Sequence, residues 1–387
     1  MHDNHRAAEV LVNVAAGSDD EISTAIDAIG FPAAAHYLLG ELTERCNQVT
    51  VPTRTAVHLS VGWTTRNHDH GFVFDDKGMT AAAGTPEDPQ VRIEIPVADL
   101  TRLLLAPERL RGTAQWRHRM LPEFPELATD NGAAALAGKI DPIGCVGKAT
   151  QAILGGAGET PSLQELAVRY GSDKWGSTHW YTPHYEHHFR PWQEEPVRIL
   201  EIGIGGYGET EYQGGSLHMW QRYFRRGLVF GVDITEKKVS GPRIRTFQGD
   251  QNDPEFLTGL AGEIGPLDIV IDDGSHVSEH ILTSFGTLFP LLKPGGLYVI
   301  EDLQTSYWGN YGGNARDVDS PLTSVGFLKT LVDGLHHQER VDRSGEPSYT
   351  EQHVTGLHFY HNICFVKKGA NNECGPDWLR QFGFDPR

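Results

Sequence analysis

The stretch "VRILEIGIGGYGE", residues 197–209, gives the clearest indication of the fold. Its run of branched apolar residues is typical of a buried strand, and the run ends in the acidic residue Glu201. Four glycines follow at once: Gly203, Gly205, Gly206 and Gly208. Glycines at the carboxyl end of a parallel strand allow the backbone to approach a ligand closely. The letters "GIGGYG" also match the GxGxxG pattern of dinucleotide-binding proteins, which has low specificity by itself. The stretch therefore predicts the first strand of a ligand-binding parallel sheet.

The runs downstream of this strand predict the rest of the sheet. Four of them alternate with helical segments: "LVFGV" at 228–232, "IRTFQ" at 244–248, "LDIVI" at 267–271 and "GLYVI" at 296–300. Apolar, β-rich runs separated by helices indicate a parallel sheet covered on both faces. The last two runs, "TGLHFY" and "ICFVKKG", are joined by the short turn "HN" and can form only an antiparallel hairpin. An α/β, Rossmann-like sheet that ends in such a hairpin is the pattern of class I S-adenosylmethionine methyltransferases.

The region upstream has a different pattern of apolar and polar residues. The Gly-rich stretch "ILGGAGETPS", residues 153–162, separates it from the region of the parallel sheet. The runs "TAVHLSVGW", "HGFVFDD" and "VRIEIPV" alternate apolar and polar residues, as half-buried antiparallel strands do. Helical stretches such as "TAIDAIGFPAAAHYLLGEL", residues 24–42, precede them. We therefore expect a smaller N-terminal α+β domain over 1–155, which serves oligomerisation or substrate covering, and a methyltransferase domain over 163–387.

The composition argues against several classes of function. The chain has 387 residues, which is too long for one ordinary core, and a formal net charge of −18 with no basic run to offset it. This balance argues against nucleic acid and anionic membranes as partners. The four cysteines are scattered without a CxxC motif, as in a reduced, cytoplasmic protein: Cys46, Cys145, Cys364 and Cys374. The absence of a signal peptide and of a bilayer-spanning apolar run supports the same expectation.

The ends of the second and third strands carry groups suited to a nucleoside. Asp233 ends "VFGVD" and can accept hydrogen bonds from a ribose diol, whether of NAD or of S-adenosylmethionine. Asp250 and Gln251 follow the third strand, in position to bond an adenine amino group and ring nitrogen. Two more acidic strand ends follow, which a nicotinamide enzyme would not be expected to have. The alternative for Asp250 is a helix cap, since a helix can start near Asp253.

The fourth and fifth strands end in pairs of carboxylates. Asp272 and Asp273 are followed closely by His276, and Glu301 and Asp302 end "GLYVIED". Neighbouring strands lie about 5 Å apart, so these carboxylates converge and would repel one another. A hard divalent cation such as Mg²⁺ or Mn²⁺ removes the repulsion and leaves positions for two neighbouring hydroxyls of a sugar or catechol. We predict Asp273 and Asp302 as metal ligands, with helix capping as their alternative, and Asp272 and Glu301 as supporting groups.

His276 is the candidate catalytic base. Histidine ordinarily changes protonation near neutral pH, so it can take a proton from a hydroxyl that a metal has made more acidic. The alternative is a polar histidine with an ordinary hydrogen-bonding role. His280 lies four residues further on, on the same face if a helix has begun. Two histidines and an aspartate could instead bind iron, which would make the protein an oxygenase.

Six segments resemble the macrocin and mycinamicin VI sugar O-methyltransferases: "RYGSDKWGSTHWYTPHYEHHF", "RILEIGIGGYGETEYQGGSLHMW", "RIRTFQGDQNDPEFL", "DIVIDDGSHVSEH", "GGLYVIEDLQTSYWG" and "GLHFYHNICFVKKG". The resemblance runs through most of residues 165–369 and is much weaker over the N-terminal half. It implies a metal- and S-adenosylmethionine-dependent enzyme that methylates a sugar hydroxyl of a glycosylated natural product, a macrolide or an oligosaccharide antibiotic. It also implies a homo-oligomer, namely a tetramer. Cephalosporin-hydroxylase-like proteins have similar motifs, so an iron-dependent oxygenase on the same scaffold is the alternative.

The resemblance assigns roles to positions of this sequence. The family's metal carboxylates fall on Asp273 and Asp302, and its general base falls on His276. The implied cofactor contacts are Glu201, Gly203, Gly205, Tyr207, Ser216, Asp233, Asp250 and Gln251. The residues expected to close over the cofactor and the sugar are Tyr181, His184, Tyr185, Gln304, Tyr307 and Trp308.

Overall fold

The computed structural model describes residues 2–46, 49–121, 140–156, 161–176, 178–206, 214–340, 345–372 and 381–383. The α-helices of these ranges are α1 (His2–Val14), α2 (Asp19–Ile29), α3 (Phe31–Cys46), α4 (Val97–Leu105), α5 (Glu108–Arg111), α6 (Ile140–Gly156), α7 (Leu163–Tyr170), α8 (Thr182–Phe189), α9 (Gly215–Tyr223), α10 (Pro254–Ile264), α11 (Ser278–Leu288), α12 (Ser324–Leu335) and α13 (Tyr349–His353). Short 3₁₀ helices lie at Arg190–Trp192, Phe289–Leu291, Leu303–Tyr307, Gly309–Tyr311 and His337–Glu339. The strands are β1 (Thr55–Trp63), β2 (Arg66–Phe74), β3 (Met79–Ala83), β4 (Val91–Pro96), β5 (Arg117–Met120), β6 (Arg198–Ile202), β7 (Leu228–Asp233), β8 (Ile244–Gln248), β9 (Leu267–Asp272), β10 (Leu292–Ile300), β11 (Val354–Tyr360) and β12 (Ile363–Lys368).

The strands β6 to β12 form a seven-stranded sheet in the order β11-β12-β10-β9-β6-β7-β8. The strands β6 to β10 pair in parallel, whereas β12 pairs antiparallel with both β10 and β11. The hairpin turn lies between Tyr360 and Ile363, as the dipeptide "HN" predicted. The predicted class I methyltransferase sheet is confirmed, and its parallel strands direct all their carboxyl ends to one edge.

Both faces of this sheet are covered, which explains why its strands read as unbroken apolar runs. On one face Tyr185, Phe189 and Trp220 pack in a core that α7, α8 and α9 cover. On the other face Leu257 of α10 and Phe285 of α11 belong to a connected core that continues into the N-terminal half. The strand β9 is buried along its whole length. The sheet is therefore a rigid frame beneath the edge that carries the acidic residues.

The N-terminal half forms a mixed five-stranded sheet in the order β3-β2-β1-β4-β5. β1 pairs antiparallel with β2, as expected, but it also pairs in parallel with β4, and its first seven residues are buried, so the expectation of a half-buried strand is wrong for it. The reason is its central position, where α4 and α6 also contact it. The polar side chains of β1 are paired instead of exposed, since His58 Nε2 lies 3.0 Å from Asp69 Oδ1.

The helical stretch predicted over residues 24–42 is divided into α2 and α3. The division falls at Gly30, whose φ of 86° lies in the region that favours glycine. Among the helices that the structure describes, none is long and apolar enough to cross a membrane. Cys46, Cys145 and Cys364 are buried thiols, and Cys374 lies outside the described residues.

A buried ion pair joins α3 to the seven-stranded sheet. Glu41 of α3 accepts a hydrogen bond of 2.6 Å from Nε of Arg243, which lies just before β8. The guanidinium of Arg243 also donates to the carbonyl oxygens of Gln221, Phe224 and Gly227. Burial opposes ionisation of Glu41, but Arg243 and Arg45 hold the pKa of its carboxyl below the ordinary value. The N-terminal helices are therefore fixed to the sheet by a fully satisfied charged contact.

Candidate active site

The carboxyl ends of β9 and β10 bring three predicted side chains together. Asp273 directly follows β9, His276 lies three residues later, and Asp302 lies two residues after the end of β10. One ligand atom of each residue lies within 4.8 Å of the others, so the three could hold one metal ion. The distance from His276 Nε2 to Asp302 Oδ2 is 3.5 Å. The convergence that the strand ends predicted is present in the fold.

Two of these residues have a backbone conformation that is uncommon outside glycine. The angle φ is 59° at His276 and 54° at Asp302, which places both in the left-handed region. This conformation costs a non-glycine residue about 1–3 kcal/mol, although Asp and His occur there more often than most residues. Each turns the chain sharply just after a strand, and the side chains of both reach the same candidate metal position.

Asp302 is held by two aromatic side chains from the segment before α8. The hydroxyl of Tyr181 donates a hydrogen bond of 2.8 Å to Asp302 Oδ1, and His179 Nε2 lies 3.5 Å from the same oxygen. Tyr181 is almost fully buried, and burial together with the charge of Asp302 raises the pKa of its hydroxyl. The hydroxyl therefore keeps its proton and acts as a donor. Tyr181 was predicted to contact substrate, and this structure places its hydroxyl on a candidate metal ligand.

Lys174 is a functional candidate that the sequence reasoning missed. Its Nζ lies 2.7 Å from Asp273 Oδ2, 2.7 Å from Glu301 Oε1 and 3.3 Å from Glu201 Oε1. Burial disfavours the ammonium, but the three carboxylates raise its pKa well above the ordinary value. The signal was the "SDK" motif at 172–174, which lies within one of the segments that carry the resemblance. No local pattern indicates that this lysine meets acids 27, 99 and 127 residues further on.

Glu301 and Asp272, which were predicted as supporting groups, are buried and directly precede the candidate metal ligands Asp302 and Asp273 in the chain. The fully buried hydroxyl of Tyr185 donates to Glu301, whose pKa burial raises well above the ordinary value. Asp272 accepts hydrogen bonds from Ser284 and Gln251. Tyr185 was predicted to close over the ligands, yet its side chain has no exposed surface and contacts a carboxylate instead.

The predicted cofactor residues of β6 and β7 lie at the same edge. A Cβ on Gly203, whose φ is 91°, would lie 2.0 Å from the carbonyl oxygen of Asp273, so only glycine fits there. Ser216 Oγ donates to Glu201 Oε2 over 2.7 Å. Asp233 accepts from the backbone N of Ile204 at 3.1 Å, which ties the end of β7 to the glycine loop.

The side chains of Asp250 and Gln251, which were predicted to bind adenine, make hydrogen bonds within the protein. The exposed Asp250 accepts from the backbone N of Asn252 at 2.8 Å, so it shapes a turn, while the cap of α10 is Asp253. The side chain of Gln251 is buried between Asp272 and the backbone N of Ser275, at 3.1 Å and 2.6 Å. An adenine contact by Gln251 therefore remains a prediction that would involve its backbone or a rearranged side chain. Tyr207 lies outside the described residues.

The other predicted substrate residues differ in their exposure and in their contacts. The ring of His184 stacks on Tyr360 with centroids 3.8 Å apart. Gln304 is half-buried, and its Oε1 has no hydrogen-bond partner among the described atoms. Tyr307 and Trp308 are 42% and 49% exposed, and the ring centroid of Trp308 lies 5.9 Å from that of Tyr311.

His280 does not join the candidate metal group. Its Nδ1 lies 2.9 Å from Ser275 Oγ, and the groups found among the described residues do not include it. The two-histidine site that an iron-dependent oxygenase would use is therefore not assembled here. The oxygen-rich group around Asp273 and Asp302 favours a hard divalent ion.

Comparison with known proteins identifies relatives along almost the whole chain. Residues 8–115 match the family model described as MycE methyltransferase N-terminal. Demethylmacrocin O-methyltransferase of Streptomyces fradiae is 46% identical over 88% of this chain and 82% of its own length. Mycinamicin VI 2''-O-methyltransferase of Micromonospora griseorubida is 40% identical over 95% and 92%. The 8-demethyl-8-alpha-L-rhamnosyl tetracenomycin-C 2'-O-methyltransferase of Streptomyces olivaceus is 42% identical over 96% and 97%.

A solved structure has the same fold over both halves of the chain. It is the MycE methyltransferase from the mycinamycin biosynthetic pathway in complex with Mg, SAH and mycinamycin VI. It is 37% identical, with a TM-score of 0.87 over 98% of this chain and 99% of its own. These relatives are O-methyltransferases, so they support the methyltransferase interpretation over the oxygenase one. The chain belongs to the macrocin and mycinamicin VI family of sugar O-methyltransferases.

Proposed function

We propose that this protein transfers a methyl group from S-adenosylmethionine to a sugar hydroxyl of a glycosylated natural product, with the help of a divalent metal ion. The observation that carries the proposal is the group of Asp273, His276 and Asp302, whose ligand atoms lie within 4.8 Å of one another. The glycine loop after β6 meets the same edge, since Gly203 packs on the backbone of Asp273. A methyl donor held by the loop and an acceptor held by the acids would therefore be neighbours.

The residues present fit Mg²⁺ or Mn²⁺. Asp273 and Asp302 offer the oxygen ligands that these ions prefer, and an ion held by two carboxylates keeps positions for water or acceptor hydroxyls. The bound ion would orient two neighbouring sugar hydroxyls and lower the pKa of the one that reacts. The presence of Mg in the solved mycinamycin relative supports this assignment.

His276 is the base in this proposal. As the acceptor oxygen forms its bond to the methyl carbon and the sulfur–methyl bond breaks, the hydroxyl proton passes to Nε2 of His276. Asp302 Oδ2, 3.5 Å away, would stabilise the resulting imidazolium. Loss of the methyl group converts the positively charged sulfonium of S-adenosylmethionine into the neutral thioether of S-adenosylhomocysteine, which then leaves the site.

The cofactor is proposed to lie along the carboxyl ends of β6, β7 and β8. Gly203 and Gly205 would admit it close to the backbone, Glu201 with Ser216 would face its amino acid end, and Asp233 would bind the ribose. Asp250 and Gln251 are proposed to bind the adenine. The Nζ of Lys237 supports this arrangement, because it donates to the carbonyl oxygens of Gly205 and Gly206 and so braces the loop.

The acceptor is proposed to be a glycosylated macrolide or oligosaccharide antibiotic. Tyr307 and Trp308 support a sugar or an apolar aglycone, because exposed aromatic faces stack on such groups. His184 and Gln304 are the polar candidates beside them. We propose the boundaries 1–155 and 163–387 for an auxiliary and a catalytic domain, assembled as a cytoplasmic homo-oligomer, in the form of a tetramer.

The test is a methyl-transfer assay with S-adenosylmethionine and a panel of glycosylated antibiotics, read by mass spectrometry with Mg²⁺ or with EDTA. We expect a gain of one methyl group that EDTA abolishes. Asp273→Asn should lower turnover by at least about 100-fold, since residues that only support a ligand already cost 10- to 100-fold. The affinity for S-adenosylhomocysteine, measured by calorimetry, should be kept.

Asp268→Asn is the matched control. Asp268 lies at the opposite end of the same strand and pairs with Lys293, so this variant should turn over normally. Normal turnover of Asp273→Asn would refute the metal assignment. A protein that does not bind S-adenosylhomocysteine would refute the cofactor assignment.

A further inference from the structure

Two groups of side chains at the site could each hold a metal ion, and they share Asp273. The outer group is Asp273, His276 and Asp302, and all three are partly exposed. The inner group is Glu201, Asp273 and Glu301, in which both glutamates are buried. A single ion beside Asp273 could therefore be held in either group. Something in the fold must decide which group receives the ion.

Lys174 already occupies the inner group. Its ammonium donates a hydrogen bond of 2.7 Å to one oxygen of Asp273 and another of 2.7 Å to one of Glu301, and it forms an ion pair of 3.3 Å with Glu201. The side chains of Lys174, Glu201 and Glu301 are 0%, 0% and 1% exposed, so water cannot replace these contacts. The lysine therefore supplies the positive charge that two buried glutamates and the partly exposed Asp273 require.

The backbone keeps Lys174 in this position. Its carbonyl oxygen accepts from the backbone N of Tyr181 at 3.0 Å and of Thr182 at 3.3 Å, which closes the loop between α7 and α8. The bridge between Trp175 and Trp180 and the edge-to-face contact of their rings brace the same loop. Its Nζ contacts Asp273 at Oδ2. A carboxylate has two oxygens, so this contact does not prevent Asp273 from binding an ion in the outer group as well.

We propose that Lys174 is a positioning residue that excludes a divalent ion from the inner group and thereby assigns the ion to Asp273 and Asp302. This inference rests on the proposed metal dependence. In the outer group the ion lies beside His276, where an acceptor hydroxyl can reach it. In the inner group an ion would be surrounded by buried acids and closed to a substrate.

The variant that tests the proposal is Lys174→Met, which keeps the unbranched side chain and removes the charge. Without the ammonium, the inner group has one more net negative charge and an empty cation position. We expect Mn²⁺ to bind at least tenfold more tightly, measured from the electron paramagnetic resonance signal of free Mn²⁺. Adding Glu301→Gln to the variant should reverse the gain, because it removes one inner carboxylate.

Lys293→Met is the matched control, because Lys293 pairs with Asp268 at the other end of the same two strands. It should leave Mn²⁺ affinity unchanged. Equal or weaker Mn²⁺ binding by Lys174→Met would overturn the proposal. If wild-type protein bound no Mn²⁺ at all, the proposed metal dependence itself would fail.

A second measurement does not depend on the variant's folding. Crystals of the wild-type protein soaked in Mn²⁺ should show the anomalous peak between Asp273 and Asp302, with Lys174 still in the inner group. A peak among Glu201, Asp273 and Glu301 with Lys174 displaced would overturn the proposal.

Discussion

Replacing Tyr181 by phenylalanine removes one hydroxyl from the support of a candidate metal ligand. That hydroxyl donates to Asp302 Oδ1 over 2.8 Å, and its residue is only 3% exposed. The other group near this oxygen, His179, lies at a longer 3.5 Å. Loss of the hydroxyl therefore removes the shortest contact that orients the carboxylate.

The expected size of the effect follows from this geometry. A hydrogen bond to a charged group contributes about 1.5–3 kcal/mol, and about 1.4 kcal/mol corresponds to a tenfold change. Residues that orient metal ligands typically change affinity or activity by about 10- to 100-fold. Folding should be little affected, because phenylalanine fills the same buried space. The Tyr181 hydroxyl also lies 3.3 Å from the carbonyl oxygen of Asn362. In the variant that oxygen still accepts a hydrogen bond from the backbone N of Leu303.

The assay is the dependence of the initial methyl-transfer rate on Mg²⁺ concentration. We expect the half-saturating Mg²⁺ concentration of Tyr181→Phe to rise by about 10- to 100-fold, with turnover largely restored at saturation. Tyr349→Phe is the control, since the exposed Tyr349 donates only a long bond of 3.4 Å to a backbone oxygen. An unchanged half-saturation for Tyr181→Phe would refute the role assigned to this hydroxyl. An equal rise in the half-saturating Mg²⁺ concentration of Tyr349→Phe would also refute this role.

Two further predictions concern stability. Glu41→Ala should destabilise the protein by about 3–5 kcal/mol in urea unfolding, because it leaves the guanidinium of Arg243 buried without its carboxylate; Glu263→Ala, which breaks an exposed pair, should cost at most about 1 kcal/mol. Burial and the neighbouring histidines lower the pKa of His188 to about 4 in the folded protein, below the ordinary value of about 6.5. Between these two pH values the unfolded chain binds the proton more readily than the folded protein does. The stability that depends on neutral His188 is therefore complete above about pH 6.5 and is lost as the pH falls through about 4. In His188→Gln the urea midpoint should fall less between pH 7 and pH 4 than in the wild type, and an identical fall would contradict this origin.

Much of the C-terminal half was predictable from sequence because its signals are local. Unbroken apolar runs predicted the strands of the seven-stranded sheet, since strands covered on both faces need no polar alternation. The turn "HN" fixed the direction of the final hairpin. Asp273 and Asp302 could be placed together because carboxyl ends of parallel strands share an edge. In the N-terminal half, alternating polar residues predicted a half-buried β1, but most of this strand is buried. The exposure of a strand depends on what covers it and not only on its own pattern.

The family, the seven-stranded sheet and its acidic edge could be predicted from the chain alone, since each follows from short local segments. The partners of those acids are visible only in the folded protein. Lys174 meets Glu301 across 127 positions, and Tyr181 meets Asp302 across 121. Tyr185 and Gln251, predicted to face ligands, are turned instead onto buried carboxylates. The physical reason is that a buried charge requires a partner from whichever segment the fold brings near, and such long-range pairing leaves no periodicity in the sequence.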